Sequence, residues 1–440
     1  MPNMPTLTQQ QIAAGKLAAD SLHSKLNQIY QHDTILFGHH DSLAYGRSNG
    51  GWRGISPINS DALDFNIDQS DICHVLENNA PALYGWDLIG LEDIANAATI
   101  NLTTSSEKLR NNIAVKDVIA WIKKVHHSGG INTICWHIKN PINLKDYNDT
   151  SNPQSIKQVV TNNSNANKTF IKWLDKLVNF FSSLTDENGL PIPVIFRPFH
   201  EVTNFDAGPN NFKPFFWWNQ ITYASSGSNP SHYRKLWEIT ISYLYSKGIK
   251  HTVNAFCMND FFIDGSTGST FNNVRDLIPD TNYFDIIGFD AYQRLNTQAQ
   301  KNHYSQCQTV QLNDSNFNTQ NFISRVQQQL DEINNLAVEF NKIPALTEIG
   351  ADYFYDNPNW WTSTLQQIID GKNLAYLLTW RNPYPPNDNS SYYALYFNPD
   401  GSDISDADVS FVNEFIDFYT TNTINSQRVL FLNEIGEMFV

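Results

Sequence analysis

Cysteine, basic charge and long apolar runs are all scarce in this sequence of 440 residues. The four cysteines lie far apart without a Cys-x-x-Cys pair, so we expect neither a disulfide framework nor structural zinc. Lys and Arg number 29 against 44 Asp and Glu, and the formal charge of −15 disfavours nucleic acid as a partner. No segment approaches about 18 uninterrupted apolar residues, so we expect no membrane-spanning segment.

Aromatic and uncharged polar residues are plentiful instead. Phe, Trp and Tyr make up 13% of the chain and include 11 Trp, whereas charged residues reach only 17%, so Asn, Gln, Ser and Thr supply much of the polarity. Flat rings beside hydrogen-bonding groups are typical of a wet cleft that binds an amphipathic ligand.

Short apolar runs alternate with helical patterns along the chain. Eight runs are too short for helices and are rich in β-branched or aromatic residues, at 35–37, 82–86, 131–136, 194–196, 252–256, 286–289, 345–346 and 376–379. Helical patterns lie between them, several closed by glycine, at 113–126, 170–184, 232–246, 322–341 and 361–370. This order predicts an α/β fold, a closed parallel (β/α)8 TIM barrel with extended loops on its catalytic face.

No linker or fixed-period repeat divides the sequence, which favours one domain over residues 1–440. Within it we expect an N-terminal helical segment at 1–30 and a C-terminal extension at 423–440 that packs on the barrel.

Polar and ionisable side chains follow seven of the eight runs. Any one of them alone is more commonly a supporting loop residue, but barrel enzymes carry their chemistry at the carboxyl ends of the strands. The residues concerned are His39, His40, Asp41, Asp87, His137, Arg197, His200, Glu201, Asp290, Tyr292, Glu348, Arg381 and Asn382. Their coincidence at one face predicts an active site.

Glu201 and Glu348 follow the fourth and seventh runs and therefore face each other across a small barrel. A separation of about 5–5.5 Å lets one carboxylate attack a sugar while the other donates a proton, as in retaining glycoside hydrolysis. Glu434 repeats the Glu-Ile-Gly triplet of Glu348, but no barrel strand remains to place it at the site.

The sequence disfavours two other function classes. A metal-dependent hydrolase is disfavoured because His39 and His40 are adjacent, and neighbours on an extended segment point apart. A non-catalytic carbohydrate-binding barrel would keep the aromatic rings, but the presence of both glutamates argues against it. We expect no metal and no cofactor.

Several tryptophans are candidates for stacking on sugar rings. Trp217 and Trp360 fall in loops on the predicted catalytic face, where binding is slightly favoured over core packing. Trp121, Trp173 and Trp237 sit within helical patterns and are predicted to be core residues.

Taken together, these residues resemble glycoside hydrolase family 26 of clan A, whose best-known members are endo-β-1,4-mannanases. The resemblance covers nearly the whole chain and rests on the order and spacing of its motifs: Gly38-His39-His40 with Tyr45-Gly46, Tyr84-Gly85-Trp86-Asp87, Trp136-His137 with Asn140-Pro141, Arg197-Pro198-Phe199-His200-Glu201, Phe216-Trp217-Trp218, Phe289-Asp290-Ala291-Tyr292, Glu348-Ile349-Gly350 and Trp380-Arg381-Asn382. One departure is an insertion at 202–214, after which Phe215 stands where the family commonly has Trp.

The resemblance implies roles for individual residues. Glu201 would be the acid/base, supported by His200, and Glu348 the nucleophile, with Tyr292 hydrogen-bonding beside it. His137 would bind the sugar at the cleavage subsite, and Trp380 and Arg381 would shape the glycone side. Trp136, Asp87 and Trp217 complete the predicted binding residues.

The resemblance also implies a substrate: β-1,4-mannosidic bonds of mannan, galactomannan or glucomannan, with mixed-linkage β-glucan or xylan as alternatives. The long segments at 87–110 and 139–167 are expected to wall off one end of the cleft and favour short products, so both endo-action and mannobiose release stay open. We further expect a monomer that works outside the cytoplasm, periplasmic, secreted or surface lipid-anchored, with its leader absent from this sequence.

Overall fold

The computed structural model describes most of the chain. The described residues are 7–44, 47–48, 51–52, 71–76, 79–203, 205–208, 211–222, 229–259, 274–293, 319–351, 359–381, 406–425 and 428–438. Tyr45, Gly46 and Asn382 of the sequence motifs, and Cys307, lie outside them.

Eight parallel strands close into a barrel, which confirms the predicted (β/α)8 fold. They follow one another around the sheet in chain order, and the last pairs with the first through Leu36–Tyr376 and His39–Thr379. The strands are β1 (Ile35–His40), β2 (Leu83–Asp87), β3 (Ile131–Trp136), β4 (Val194–Pro198), β5 (Thr252–Asn259), β6 (Ile286–Gln293), β7 (Ile343–Ala351) and β8 (Tyr376–Thr379).

Helices surround the barrel. Gly129, Gly248 and Gly371, predicted as helix stops, adopt positive φ angles of 85°, 85° and 66° after three of the helical segments, which an L side chain would disfavour. The described α-helices are α1 (Gln9–Gln31), α2 (Asp71–Val75), α3 (Val115–His127), α4 (Ser155–Val160), α5 (Asn165–Ser182), α6 (Pro230–Ser246), α7 (Thr319–Phe340), α8 (Gln366–Ile369), α9 (Asp406–Tyr419) and α10 (Leu432–Met438).

Alternate residues along the strands pack into two separate hydrophobic clusters. On β1, Ile35 and Phe37 pack outwards in the large cluster between sheet and helices, whereas Leu36 belongs to a smaller cluster with Leu83 and Ile131. Every described barrel strand is buried along most of its length, as parallel strands covered on both faces must be. The interior is therefore a packed core, and substrate access is left to the ends of the strands.

The end of the barrel opposite the predicted catalytic face is covered by the terminal segments. Leu22, Leu26 and Ile29 of α1 join the inner cluster. A short strand at Val429–Leu430 pairs with the start of β1, and the N–H of Leu432 donates to the carbonyl of Ala80. Both segments thus pack on the barrel, while the single-domain organisation over the whole chain stays a prediction.

Several strands run further than the apolar runs that predicted them. β5 continues to Asn259, β6 to Gln293 and β7 to Ala351. The added residues include polar side chains that sequence reasoning had placed in loops. Since their backbones pair within the sheet, these side chains are held by the barrel itself.

A β-bulge on β7 sets the height of Glu348. Pairing with β6 runs from Phe289–Leu346 directly to Asp290–Glu348, so Thr347 is the extra residue. Such an insertion re-aims the side chains that follow it. Here it places Glu348 level with Asp290, and the hydroxyl of Thr347 donates to Asp290 Oδ1 at 2.6 Å.

None of the described helices combines the length and the apolar character needed to cross a bilayer.

His251 is a buried histidine that contacts the end of α5 and the helix α1. Its ring nitrogen Nε2 lies 3.1 Å from the carbonyl oxygen of Phe181, at the end of α5, and Gly15 of α1 packs against its Cβ. Burial lowers the pKa of His251 to about 4, so the ring stays neutral in the folded protein at pH values where the unfolded chain would bind a proton.

We predict that the protein loses stability as the pH falls from about 6.5 towards 4, because the unfolded state then binds more protons than the folded state. His251 alone contributes roughly 2 kcal/mol of that loss between pH 6.5 and 5. His251→Gln keeps a donor for Phe181 but cannot titrate, so urea unfolding at the two pH values should show a smaller difference than in the parent. The control is His127→Gln on the surface; an equal pH dependence in parent and His251→Gln would contradict the prediction.

Candidate active site

The carboxyl groups of Glu201 and Glu348 meet at the carboxyl ends of β4 and β7. One oxygen from each, together with one from Asp290, lies within 4.8 Å of the other two. Glu201 is 7% exposed and Glu348 2% exposed, so both are screened from bulk water. Inverting glycosidases need a gap of about 6.5–9.5 Å to admit a water molecule, whereas this spacing suits direct attack by a carboxylate.

Arg197 donates a hydrogen bond to the carboxyl group of Glu348. Its guanidinium, on β4, donates to Glu348 Oε1 through one nitrogen and to both oxygens of Asp290 through the other, at 3.0 and 3.2 Å. The hydroxyl of Tyr292 donates to the remaining oxygen, Glu348 Oε2. Both oxygens of Glu348 therefore accept hydrogen bonds, which fix the orientation of this carboxyl group.

Burial and neighbouring charge together shift the pKa values of Arg197, Asp290 and Tyr292. Burial would lower the pKa of Arg197, but the carboxylates of Glu348 and Asp290 raise it well above its ordinary value, so the guanidinium stays charged. Burial and the Glu348 carboxylate together raise the pKa of Asp290 well above its usual range. The same two causes raise the pKa of Tyr292, which stays a phenol that can donate.

Glu201 stands on a strained but heavily braced loop. Phe199 and Glu201 adopt positive φ angles of 49° and 54°, which cost free energy for residues other than glycine. Three consecutive carbonyls are held by side-chain donors: Phe199 by the Tyr233 hydroxyl at 3.0 Å, His200 by Trp218 Nε1 at 2.9 Å and Glu201 by Asn219 Nδ2 at 3.1 Å. The surrounding structure thus determines the direction of the Glu201 side chain.

A short chain of contacts links Glu201 to the end of β5. Asn259 Nδ2 donates to Glu201 Oε1 at 3.1 Å, and Asn259 exchanges hydrogen bonds with Thr203 at 2.8 Å each. Asn259 was missed by sequence reasoning because the predicted strand ended at 256. Extending the strand-end rule to β5 would have found it.

His137 and Asp87 form a pair at the ends of β3 and β2. Asp87 Oδ2 lies 2.8 Å from His137 Nδ1, and the backbone N–H of His137 donates to Asp87 Oδ1 at 3.2 Å. Burial opposes charge on both groups, but their mutual attraction outweighs it, raising the pKa of His137 and lowering the pKa of Asp87. His137 is consequently held in one orientation with a share of positive charge.

His200 lies edge-on to His137, with ring centroids 4.5 Å apart. Burial, followed by the positive fields of His137 and Arg197, lowers the pKa of His200 well below its ordinary value. A neutral His200 next to a chargeable His137 avoids two imidazolium ions in contact. Tyr147, which sequence reasoning also missed, packs 4.8 Å from the His137 ring.

Trp380 and Arg381 follow β8 and are both partly exposed. Trp380 stacks on His40 at 4.1 Å, and His40 in turn packs so closely on Gly85 that no Cβ would fit there. Arg381 lies 3.6 Å from Asp41, and burial, countered by Arg381, raises the pKa of Asp41 to about 7. The Arg381 guanidinium also lies over the Trp380 ring, 5.7 Å from its centroid, so a partly exposed ring and a cation lie together at the end of β8.

Three of the predicted stacking rings are buried instead. Trp217 and Trp360 are 0% exposed and Trp136 is 2% exposed. The indole N–H of Trp217 donates to the Ile138 carbonyl at 3.0 Å, and that of Trp136 to Glu92 at 3.0 Å. A ring without an exposed face cannot stack on a sugar, so the structure places these residues behind the cleft, where they support its loops.

Two groups of described residues could hold a metal ion. One is the carboxyl cluster of Glu201, Asp290 and Glu348, and the other comprises Cys135, His137 and His200. The guanidinium of Arg197 already pairs with Asp290 and Glu348 of the first group, which disfavours a second cation there. His39 belongs to neither group; its Nδ1 is within hydrogen-bond distance of the Ser42 hydroxyl, at 3.0 Å. Glu434 lies at the opposite end of the barrel, where it accepts a hydrogen bond from Asn79.

Comparison with known proteins agrees with this geometry. The sequence profile of glycosyl hydrolase family 26 matches residues 16–367. A mannan endo-1,4-beta-mannosidase of Bifidobacterium adolescentis is 26% identical over 359 residues, covering 77% of this chain and 31% of the relative. A mannan endo-1,4-beta-mannosidase of Bacillus subtilis is 23% identical over 328 residues, covering 71% of this chain and 80% of the relative. The chain thus spans less than a third of the Bifidobacterium relative.

Solved structures share the barrel. A GH26 beta-mannanase from Bacteroides ovatus superposes with a TM-score of 0.69 at 23% identity, over 96% of this chain and 95% of that one. The catalytic domain of an endo-beta-1,4-mannanase from Bacillus sp. JAMB-750 gives 0.66 at 25% identity, over 99% and 94%. With a family profile that matches most of its length, the chain belongs to glycosyl hydrolase family 26.

Proposed function

We propose that the protein hydrolyses β-1,4-mannosidic bonds by double displacement, with Glu348 as the nucleophile and Glu201 as the acid/base. The observation that carries the proposal is the unequal environment of two carboxyl groups whose oxygens lie within 4.8 Å. Glu348 accepts from a guanidinium and a phenol, whereas Glu201 Oε1 accepts from the neutral amide of Asn259. Such a difference separates the two roles.

In the first step Glu348 attacks the anomeric carbon while protonated Glu201 donates to the departing oxygen. Arg197 and Tyr292 fix the attacking carboxylate, so little reorganisation is needed at the moment of reaction. Glu201 must begin the cycle protonated, as the general acid of a retaining glycosidase does.

In the second step Glu201, now ionised, removes a proton from water, which attacks the covalent glycosyl–Glu348 intermediate. In this proposal His137 hydrogen-bonds the sugar between the two carboxyl groups, and Trp380 covers one face of the sugar. The anomeric configuration is retained because two inversions occur in sequence.

Replacing Glu348 by Ala is expected to reduce hydrolysis by several powers of ten, since no covalent intermediate can form. Azide added to the Glu348→Ala variant should occupy the vacated space, attack in a single displacement and yield the inverted glycosyl azide. Product NMR on an aryl β-mannobioside measures this. A retained azide product would assign the nucleophile elsewhere.

Replacing Glu201 by Ala is expected to slow hydrolysis of β-mannan by about 10²–10⁴-fold, the usual value of proton transfer. With a dinitrophenyl leaving group, which needs no proton, the first step should survive and give a burst of phenol followed by slow turnover. Stopped-flow absorbance measures the burst, and exposed Glu187→Ala is the control. Equal losses on both substrates, without a burst, would reject the acid/base role.

Mannan is the proposed substrate because both curated relatives are named as mannan endo-1,4-beta-mannosidases. The test is reducing-sugar release from galactomannan, glucomannan, barley glucan and xylan. We expect the mannans to be cleaved fastest. Preference for glucan or xylan would keep the fold and mechanism but change the substrate, and inactivity on every polymer would favour a non-catalytic carbohydrate-binding barrel.

The same digests report product length. The loops after β2 and β3 are joined by the Arg110–Asp146 ion pair and by the Lys139 N–H, which donates to Glu92 Oε1 at 3.1 Å. These contacts between the two loops support the hypothesis that one end of the cleft is closed and that short products predominate early in the digestion. Products of mixed length at early times would argue against it. The monomeric state and the extracytoplasmic location stay predictions.

A further inference from the structure

A sulfur and two imidazoles converge at the floor of the cleft. Cys135 Sγ, one ring nitrogen of His137 and one of His200 all lie within 4.8 Å of one another. Cys135 is in β3 and His137 comes two residues later, so both side chains lie on the same face, while His200 reaches them from the end of β4. The mechanism proposed above has no use for the thiol.

The environment of each imidazole is that of a metal ligand. Asp87 holds Nδ1 of His137 at 2.8 Å, which leaves Nε2 to bind a ligand and reproduces the carboxylate–histidine pairing that orients histidines at metal sites. Nδ1 of His200 is buried without a hydrogen-bond partner, in a side chain only 1% exposed. A buried polar atom in this state costs free energy, which an ion bound at that nitrogen would recover.

We propose that Cys135, His137 and His200 form a Zn²⁺ site that inhibits the enzyme. One thiolate and two imidazoles are a donor set that Zn²⁺ accepts, with a fourth position open to water. Tetrahedral bonds to such ligands need donor atoms about 3.3–3.6 Å apart, which lies within the 4.8 Å limit that the three donor atoms meet. The ion would occupy His137, which the proposed mechanism reserves for the sugar, and His200, which precedes Glu201 in the chain.

Binding is coupled to the loss of one proton. Cys135 is a free, buried cysteine, and zinc binds cysteine as the thiolate. Zinc forms the sulfur–metal bond as the S–H bond breaks, and the proton leaves to solvent. The apparent affinity should therefore rise with pH.

The test uses Co²⁺ as a spectroscopic substitute for Zn²⁺, and Zn²⁺ itself as the competitor. The 440-residue chain carrying Cys307→Ser is the parent protein with which the other variants are compared. We expect the visible bands of tetrahedral Co²⁺, a thiolate-to-cobalt charge-transfer band, a stoichiometry of one, and displacement by Zn²⁺. Zn²⁺ should also inhibit hydrolysis of β-mannan in competition with the substrate, and a chelator should restore activity.

Cys135→Ser and Cys257→Ser are a matched pair, because both thiols are buried on barrel strands and only Cys135 joins the histidines. Cys135→Ser should keep the metal-free activity, lose the charge-transfer band and weaken Zn²⁺ binding by more than about 10–100-fold, the range for loss of a mere supporting residue. Cys257→Ser should behave like the parent.

Unchanged Zn²⁺ affinity in Cys135→Ser, or Co²⁺ bound without the thiolate band, would overturn the proposal and place the ion elsewhere, for example at the carboxyl cluster. The proposal extends the proposed function but is tested apart from it, because the cobalt spectrum needs no turnover. If the protein shows the thiolate-to-cobalt band but is inactive on every polymer, the proposed function is rejected and the metal site is supported.

Discussion

The site depends on one buried ionic contact, in which the guanidinium of Arg197 pairs with Asp290 and Glu348. Arg197 is 1% exposed and lies between Asp290 and Glu348, both themselves buried. Removing one member of such a group leaves an uncompensated charge in a poorly solvated interior, which is far more costly than losing a surface ion pair. The same contact that makes the centre of the barrel tolerable for ions also orients the carboxylate to which we assign nucleophilic attack.

The other carboxyl is controlled by backbone conformation. Phe199 and Glu201 occupy a left-handed conformation that the local sequence does not favour, and side chains from two other segments hold the carbonyls of residues 199–201. The aromatic residues after the β4 loop are therefore best understood as a brace. Their burial explains why Trp217, although close to the site in sequence, offers no face to a ligand.

Much of the fold was predictable because its signals are local. Apolar runs of strand length, helical periodicity and glycine stops depend on neighbouring residues, and they identified all eight barrel strands in order. The strand-end rule then collected Asp87, His137, Glu201 and Glu348 at one face. It missed Asn259 and Tyr147, since the first lies beyond the apolar part of β5 and the second in a loop without a distinguishing pattern.

The sequence by itself determined the alternation of strands and helices, the end of the barrel that carries polar groups, and the identity of the two glutamates that face each other. Only the tertiary structure decided which tryptophans reach the cleft, how the bulge at Thr347 brings Glu348 level with Asp290, and that Cys135 meets two histidines. The physical reason is range: periodicity and turn chemistry are read from neighbours in the chain. Burial, register and the approach of side chains depend on elements that are distant in sequence and meet only when the barrel closes.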